Sequence, residues 1–158
     1  MKLLISAPWL NLLEERFGIP PATFDRYIFF RKNDKYISIA TRDLLVPTSP
    51  ATESIGFYFL KTSMKQPKLT TQAAMAFGQA ATRNVVTVTR SQLEAYLNRE
   101  SISLTSDQSS ACTGRGYVLI RYAGRVYGVG FYVPEEERET VRSLFPKHWA
   151  GVQKIALL

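Results

Sequence analysis

The sequence predicts an α+β fold: a small N-terminal α/β unit over residues 1–82, packed on a C-terminal mixed β-barrel over residues 83–158. Helical and strand-like spacings alternate along the chain. A second unit starts afresh at Asn84 with no flexible linker or internal repeat before it. The segment YVLIRYAGRVYGVGFYV (117–133) alternates in the manner of a hairpin. A chain of 158 residues suits one ordinary domain or two small ones sharing an interface. Its 46% apolar content is too high for disorder.

In the first unit, Ser6 is the expected cap of a helix opening at Pro8, with Trp9, Leu12, Leu13 and Phe17 on one face. Gly18 and Pro20 end it. The run YIFFRKNDKYISIA (27–40) reads as two strands around an Asn33-Asp34 turn, because β-branched and aromatic residues flank turn chemistry. Ile55 to Leu60 is a continuous apolar run, the pattern of a buried strand. LTTQAAMAFGQAA (69–81) returns to helical spacing, with Leu69, Ala73, Ala76, Phe77 and Ala80 on one side and Thr70 or Thr71 as cap.

The second unit opens with a short strand, Asn84 to Val88. Thr89 and Gln92 form a capping box for a helix over Arg90–Leu97 that buries Leu93, Tyr96 and Leu97. SLTSDQSSACTGRG (103–116) is read as a polar loop. With a two-residue turn at Ala123-Gly124, residues whose numbers sum to 247 face each other. Val118, Ile120, Tyr122, Arg125, Tyr127, Val129 and Phe131 then share the core face, and Tyr117 and Leu119 lie opposite Gly130 and Gly128. Glycine inside a strand marks a bulge or the close approach of another group. Three glutamates after Pro134 open a helical turn that Arg138 and Arg142 close. Phe145 to Trp149 is a loop, and VQKIALL is the final strand.

The charge points to a polyanion. Twenty Lys and Arg against thirteen Asp and Glu give +7, and no acid falls between Glu53 and Glu94 or between Asp107 and Glu135. Catalytic constellations are missing. Gly128-Val129-Gly130 lacks the third glycine of a dinucleotide fingerprint, and no Walker loop is present. One cysteine and one histidine exclude an internal disulfide and a Cys/His zinc site. Cys112, in an Arg-flanked loop, is open to a lowered pKa but lacks a partner base. Neither a signal-peptide h-region nor a run of roughly 18 apolar residues occurs. A soluble, cytoplasmic, non-enzymatic protein with no cofactor and no metal is expected. Its candidate residues are Arg83, Arg90, Arg115 and Lys147, with His148 beside them.

The stretch from Asn84 to Lys147 resembles a PUA domain, through VVTVTRSQLEAYLNRESI and the step Tyr127-Gly128-Val129-Gly130. The first half is similar to the pre-PUA domain that precedes such a unit. Nearly the whole chain resembles the C-terminal extension of RsmF-like RNA 5-methylcytosine methyltransferases of the Sun family, in Gly-x-Pro after the first helix, AYLNRESI, GYVLIRYAGRVYGVG and the late FPK. The methyltransferase domain itself, with its glycine loop and Pro-Cys loop, has no counterpart here. The resemblance therefore implies binding of structured RNA (rRNA or tRNA) without methylation, in RNA modification or ribosome biogenesis. Two alternatives stay beside it: a protein-interaction subunit docking a separate RNA methyltransferase or ribosome-assembly factor through its basic face, and a small hydrolase built on His148 or Cys112.

Overall fold

A computed structural model describes residues 1–45, 49 and 55–150. The fold is α+β, with two five-stranded sheets and four short helices among the described residues. Helix α1 (Trp9–Phe17) buries Trp9, Leu13 and Phe17. Leu12, placed by its spacing on that face, is 49% exposed. Pro8, not Ser6, occupies the cap position, and no side chain caps the helix. Proline at the entry has φ pre-set for a helix, so the first turn forms without a hydroxyl cap. At the other end Gly18 is left-handed, with φ 66°, and its N–H bonds to Glu14 O.

The first sheet runs β1-β2-β3-β4-β5, entirely antiparallel: β1 (Lys2–Leu4), β2 (Tyr27–Asn33), β3 (Tyr36–Thr41), β4 (Phe57–Lys61) and β5 (Lys68–Leu69). Asn33 shapes the β2–β3 turn, its Oδ1 accepting from the N–H groups of Lys35 (3.0 Å) and Tyr36 (3.1 Å). Helix α2 (Thr71–Phe77) follows, and Thr70 is its cap, accepting from Ala73 N. Ala73, Ala74 and Phe77 are buried, while Ala76 faces out. Spacing alone puts Ala76 on the covered side; a seven-residue helix packed on two sides is too short for the spacing to decide.

The second sheet runs β6-β8-β9-β10-β7 and is the curled half-barrel. It comprises β6 (Val85–Thr87), β7 (Ile102–Ser103), β8 (Gly116–Tyr122), β9 (Arg125–Val133) and β10 (Thr140–Ser143). β6 pairs parallel to β8, and the other contacts are antiparallel. Helix α3 (Arg90–Leu97) has the expected bounds, capping box and buried residues. The loop at 103–116 contains a helix, α4 (Ser106–Ser110), with a second capping box, Thr105 with Gln108. The glutamines of the two boxes join reciprocally: Gln92 Nε2 donates to Gln108 Oε1 (3.0 Å) and Gln108 Nε2 to Gln92 Oε1 (2.7 Å). A helix too polar to bury any residue is thus held by its caps. Glu136 and Glu137 form a bend, and Glu135 to Glu137 no helical turn, since the chain must re-enter the sheet at Thr140. Lys147–Trp149 form one 3-10 turn. VQKIALL lies outside the described residues.

The hairpin turn at Ala123-Gly124 stands, with φ 47° and 77°. Its register holds only next to the turn. Tyr122 faces Arg125 and Arg121 faces Val126, but Ile120 faces Gly128 and Val118 faces Gly130. Tyr127 is the unopposed residue of a β-bulge. Tyr122, Tyr127 and Phe131 are therefore half-buried and Arg125 exposed, whereas Val126, Val129 and Leu119 enter the core of the first sheet. Val118, Ile120 and Tyr132 enter a second core with Val86, Leu93, Tyr96 and Phe145. Buried on both faces, β8 and β9 weld the halves together. The strand glycines admit neighbours: a Cβ on Gly128 would lie 2.4 Å from the Tyr96 hydroxyl, and one on Gly130 would lie 2.4 Å from Val141 Cγ1.

Candidate functional site

The five candidate residues do not share one groove. Arg83 follows α2 and donates through Nη2 to Glu14 O (2.6 Å) at the end of α1. With Arg121, Asn84 and Thr113 it lines a groove of about 340 Å³ that no acid among the described residues enters. Arg90 is the first residue of α3 and pairs with Glu94 across one turn at 3.3 Å. Arg115 lies in the loop before β8, with its guanidinium carbon 5.5 Å from the Phe131 ring centre. It lines a second groove, of about 480 Å³, with Lys65, Arg16, Tyr117 and Glu15. Lys147 and His148 are exposed on the 3-10 turn, and His148 lines a third groove.

The spacing of motifs missed Arg16. Its Nε donates to Tyr117 O (2.8 Å), Nη1 to Thr113 O (2.9 Å) and Nη2 to Gly114 O (3.2 Å). Burial lowers its pKa from the ordinary arginine range. The side chain spends its donors on backbone carbonyls and so fixes the loop that carries Arg115. Asn84 ties the same corner from the other side. Fully buried at φ 53°, it donates through Nδ2 to Arg16 O (2.7 Å) and Thr113 Oγ1 (2.8 Å), and its Oδ1 accepts from Thr113 N (2.8 Å). A guanidinium meeting a carbonyl loop a hundred residues away leaves no sequence signal.

The third groove, about 420 Å³, lies where β3, β4, β5 and the start of α2 meet the 3-10 turn. Tyr36, Tyr58, Lys61, Lys68, Gln72, His148 and Trp149 are among its walls, and among the described residues no acid is. The rings of Tyr36 and Tyr58 stack, with centres 4.4 Å apart and planes 24° from parallel. Tyr58 remains 43% exposed. Lys61 and Lys68 face each other across β4 and β5. Lys68 titrates below the ordinary lysine range because it is partly buried, and secondarily because Lys61 repels its charge. Neither ammonium meets a carboxylate among the described residues.

A β-bulge assembles this wall. Lys61 faces Tyr36 and Leu60 faces Ile37, but Tyr58 faces Ser38, leaving Phe59 unopposed. Tyr58 and Lys61, three apart, thereby come to one face, where regular alternation would put them on opposite faces. Phe59 and Leu60 are buried. The apolar run that predicted a wholly buried strand is therefore half surface.

Cys112 is not activated. Burial pushes its thiol up to about 11, outweighing the lowering by Arg16, with Glu139 adding to the rise. Among the described residues no group of three or more His, Cys, Asp or Glu is placed to hold a metal. No described helix is long and apolar enough to cross a membrane. No protein-family model and no curated protein matches the chain.

Proposed function

We propose that the protein is a cytoplasmic, non-catalytic RNA-binding protein acting on structured RNA (rRNA or tRNA), in RNA modification or ribosome biogenesis. In this reading a pre-PUA-like unit is coupled to a PUA-like half-barrel. The observation that supports it best is the lining of the three grooves. Among the described residues they together present seven Lys and Arg side chains and one carboxylate, Glu15. Small-molecule sites gather a few polar groups in one concavity, whereas a polyanion is met by cations spread along a surface. Arg83, Arg115 and the Lys147-His148 turn sit on three different grooves, which suits a ligand long enough to visit more than one. Arg90, at the start of α3, adds a charge already balanced in part by Glu94.

Fluorescence anisotropy with labelled tRNA and rRNA hairpins tests this, read between about 50 and 200 mM salt. The wild type is expected to bind with a steep salt slope. The quadruple variant with Arg83, Arg90, Arg115 and Lys147 all replaced by Ala should flatten the slope by roughly one unit per lost contact. It should weaken binding of different sequences about equally, because phosphate contacts carry no base information. Unchanged binding by a folded quadruple variant overturns this surface as the RNA site. If the RNAs are not bound while an acidic protein is captured, the protein-docking reading replaces it.

A further inference from the structure

Resting on that reading, we propose that the third groove takes an unpaired stretch of RNA, with one base stacked on the outer face of Tyr58 and the adjoining phosphates against Lys61 and Lys68. The groove holds the two components that single-strand recognition needs: an aromatic platform and unneutralised cations beside it. Tyr36 lies behind Tyr58 at stacking distance and keeps that ring from folding inward, so its outer face is presented rather than merely exposed. The bulge at Phe59 puts ring and ammonium on one face, and both line the same groove. Lys68 sits partly buried beside a like charge, an arrangement that an anion in the groove would relieve. Gln72 and His148 add polar groups around the same opening, and among the described residues no carboxylate lines it to repel a phosphate. Paired RNA buries its base faces, so a hairpin offers this groove only its loop or ends.

The test measures anisotropy of labelled oligouridine, a blunt RNA duplex of equal length and the tRNA above, against the wild type and three variants. These are Tyr58→Leu, Tyr58→Phe and the double variant Lys61→Ala/Lys68→Ala. Wild type should prefer oligouridine to duplex. Tyr58→Leu should lose roughly tenfold in oligouridine affinity with its salt slope unchanged, since stacking releases no counterions, and Tyr58→Phe should retain affinity. The double lysine variant should flatten the oligouridine slope by about 1.4 units, at about 0.7 per phosphate. Oligouridine affinity unmoved in Tyr58→Leu overturns the groove assignment, and so does equal loss in the leucine and phenylalanine variants. If tRNA still binds with a steep salt slope in either case, the RNA-binding reading survives and only the groove fails. If neither tRNA nor oligouridine binds the wild type, both fail. Displacement of labelled oligouridine by polyglutamate at a lower concentration than unlabelled oligouridine requires would instead assign the groove to an acidic protein. Tyr58 is surface-exposed, and circular dichroism of Tyr58→Phe and Tyr58→Leu together verifies that affinity changes are read on folded protein.

Discussion

The bulge in β4 lies one strand from the edge of its sheet, and the bulge in β9 lies at the centre of the other. Each inserts one unopposed residue, Phe59 or Tyr127, and each brings two residues three apart onto a common face. In β4 the shared face carries Tyr58 and Lys61 and opens on a groove. In β9 it carries Val126 and Val129 and packs into the core with α2, where Val126 meets the backbone at Gly78. The extra residues differ in the opposite sense: Phe59 is fully buried and Tyr127 half-buried. One local device, therefore, builds a surface where a neighbouring layer is absent and a core where one is present. What the bulge produces is decided by what lies opposite it.

That contrast is broken most severely at Phe59. It contacts Phe24, Phe29 and Phe77 edge-on or tilted, with ring centres between 5.2 and 5.8 Å. Phe59→Ala should lower stability by about 4 kcal/mol in urea unfolding. Tyr58→Leu, one residue away, should change it by less than about 1 kcal/mol. Comparable losses at the two positions would mean that the β4 bulge does not separate core from surface.

Gly128→Val probes the other bulge. The added Cβ meets the hydroxyl of Tyr96, which is wholly buried and donates to Val129 O at 2.9 Å. Overpacking together with the lost hydrogen bond should destabilise by about 3 kcal/mol. Arg121→Ala, which gives up only a long bond to Ala81 O at 3.5 Å, should stay within about 0.5 kcal/mol. Equal melting temperatures for the two variants would show the β9 register to be wrong.

The smallest effect is expected at Cys112, behind the loop that Arg16 holds. With its pKa near 11, the thiol should alkylate with iodoacetamide much more slowly at pH 8 than a free cysteine. The sign of the linked stability follows from the raised value. The favourable contribution is complete below the unfolded-state pKa near 9 and is lost as pH rises toward 11. Arg16→Lys should speed alkylation at fixed pH, because a lysine cannot span the three carbonyls that keep the loop closed. A rate equal to that of the unfolded chain in the wild type would contradict the burial of this corner.

By itself the sequence determined the local elements whose signals sit within a few residues of one another. The box of Thr89 and Gln92 sets the start of α3, and Leu93, Tyr96 and Leu97 set its buried stripe. Ala123-Gly124 sets the hairpin turn, because a positive-φ pair is needed there and glycine supplies half of it. The acid-free windows already contained Lys61, Lys68, Arg115 and Arg121. Tertiary structure decided the rest. Strand periodicity carries no mark of an inserted residue, so both bulges, the face of Val126 and the exposure of Tyr58 depend on neighbouring strands. α4 has a local box of its own, Thr105 with Gln108, hidden in a polar stretch, and its cap glutamine also joins Gln92, sixteen residues earlier. The candidate arginines and Lys147 were legible as charges but not as neighbours. That Arg83, Arg115 and His148 line three different grooves follows from how α1, the 113–117 loop and the late 3-10 turn pack, and such long-range contacts are written in no single stretch of chain.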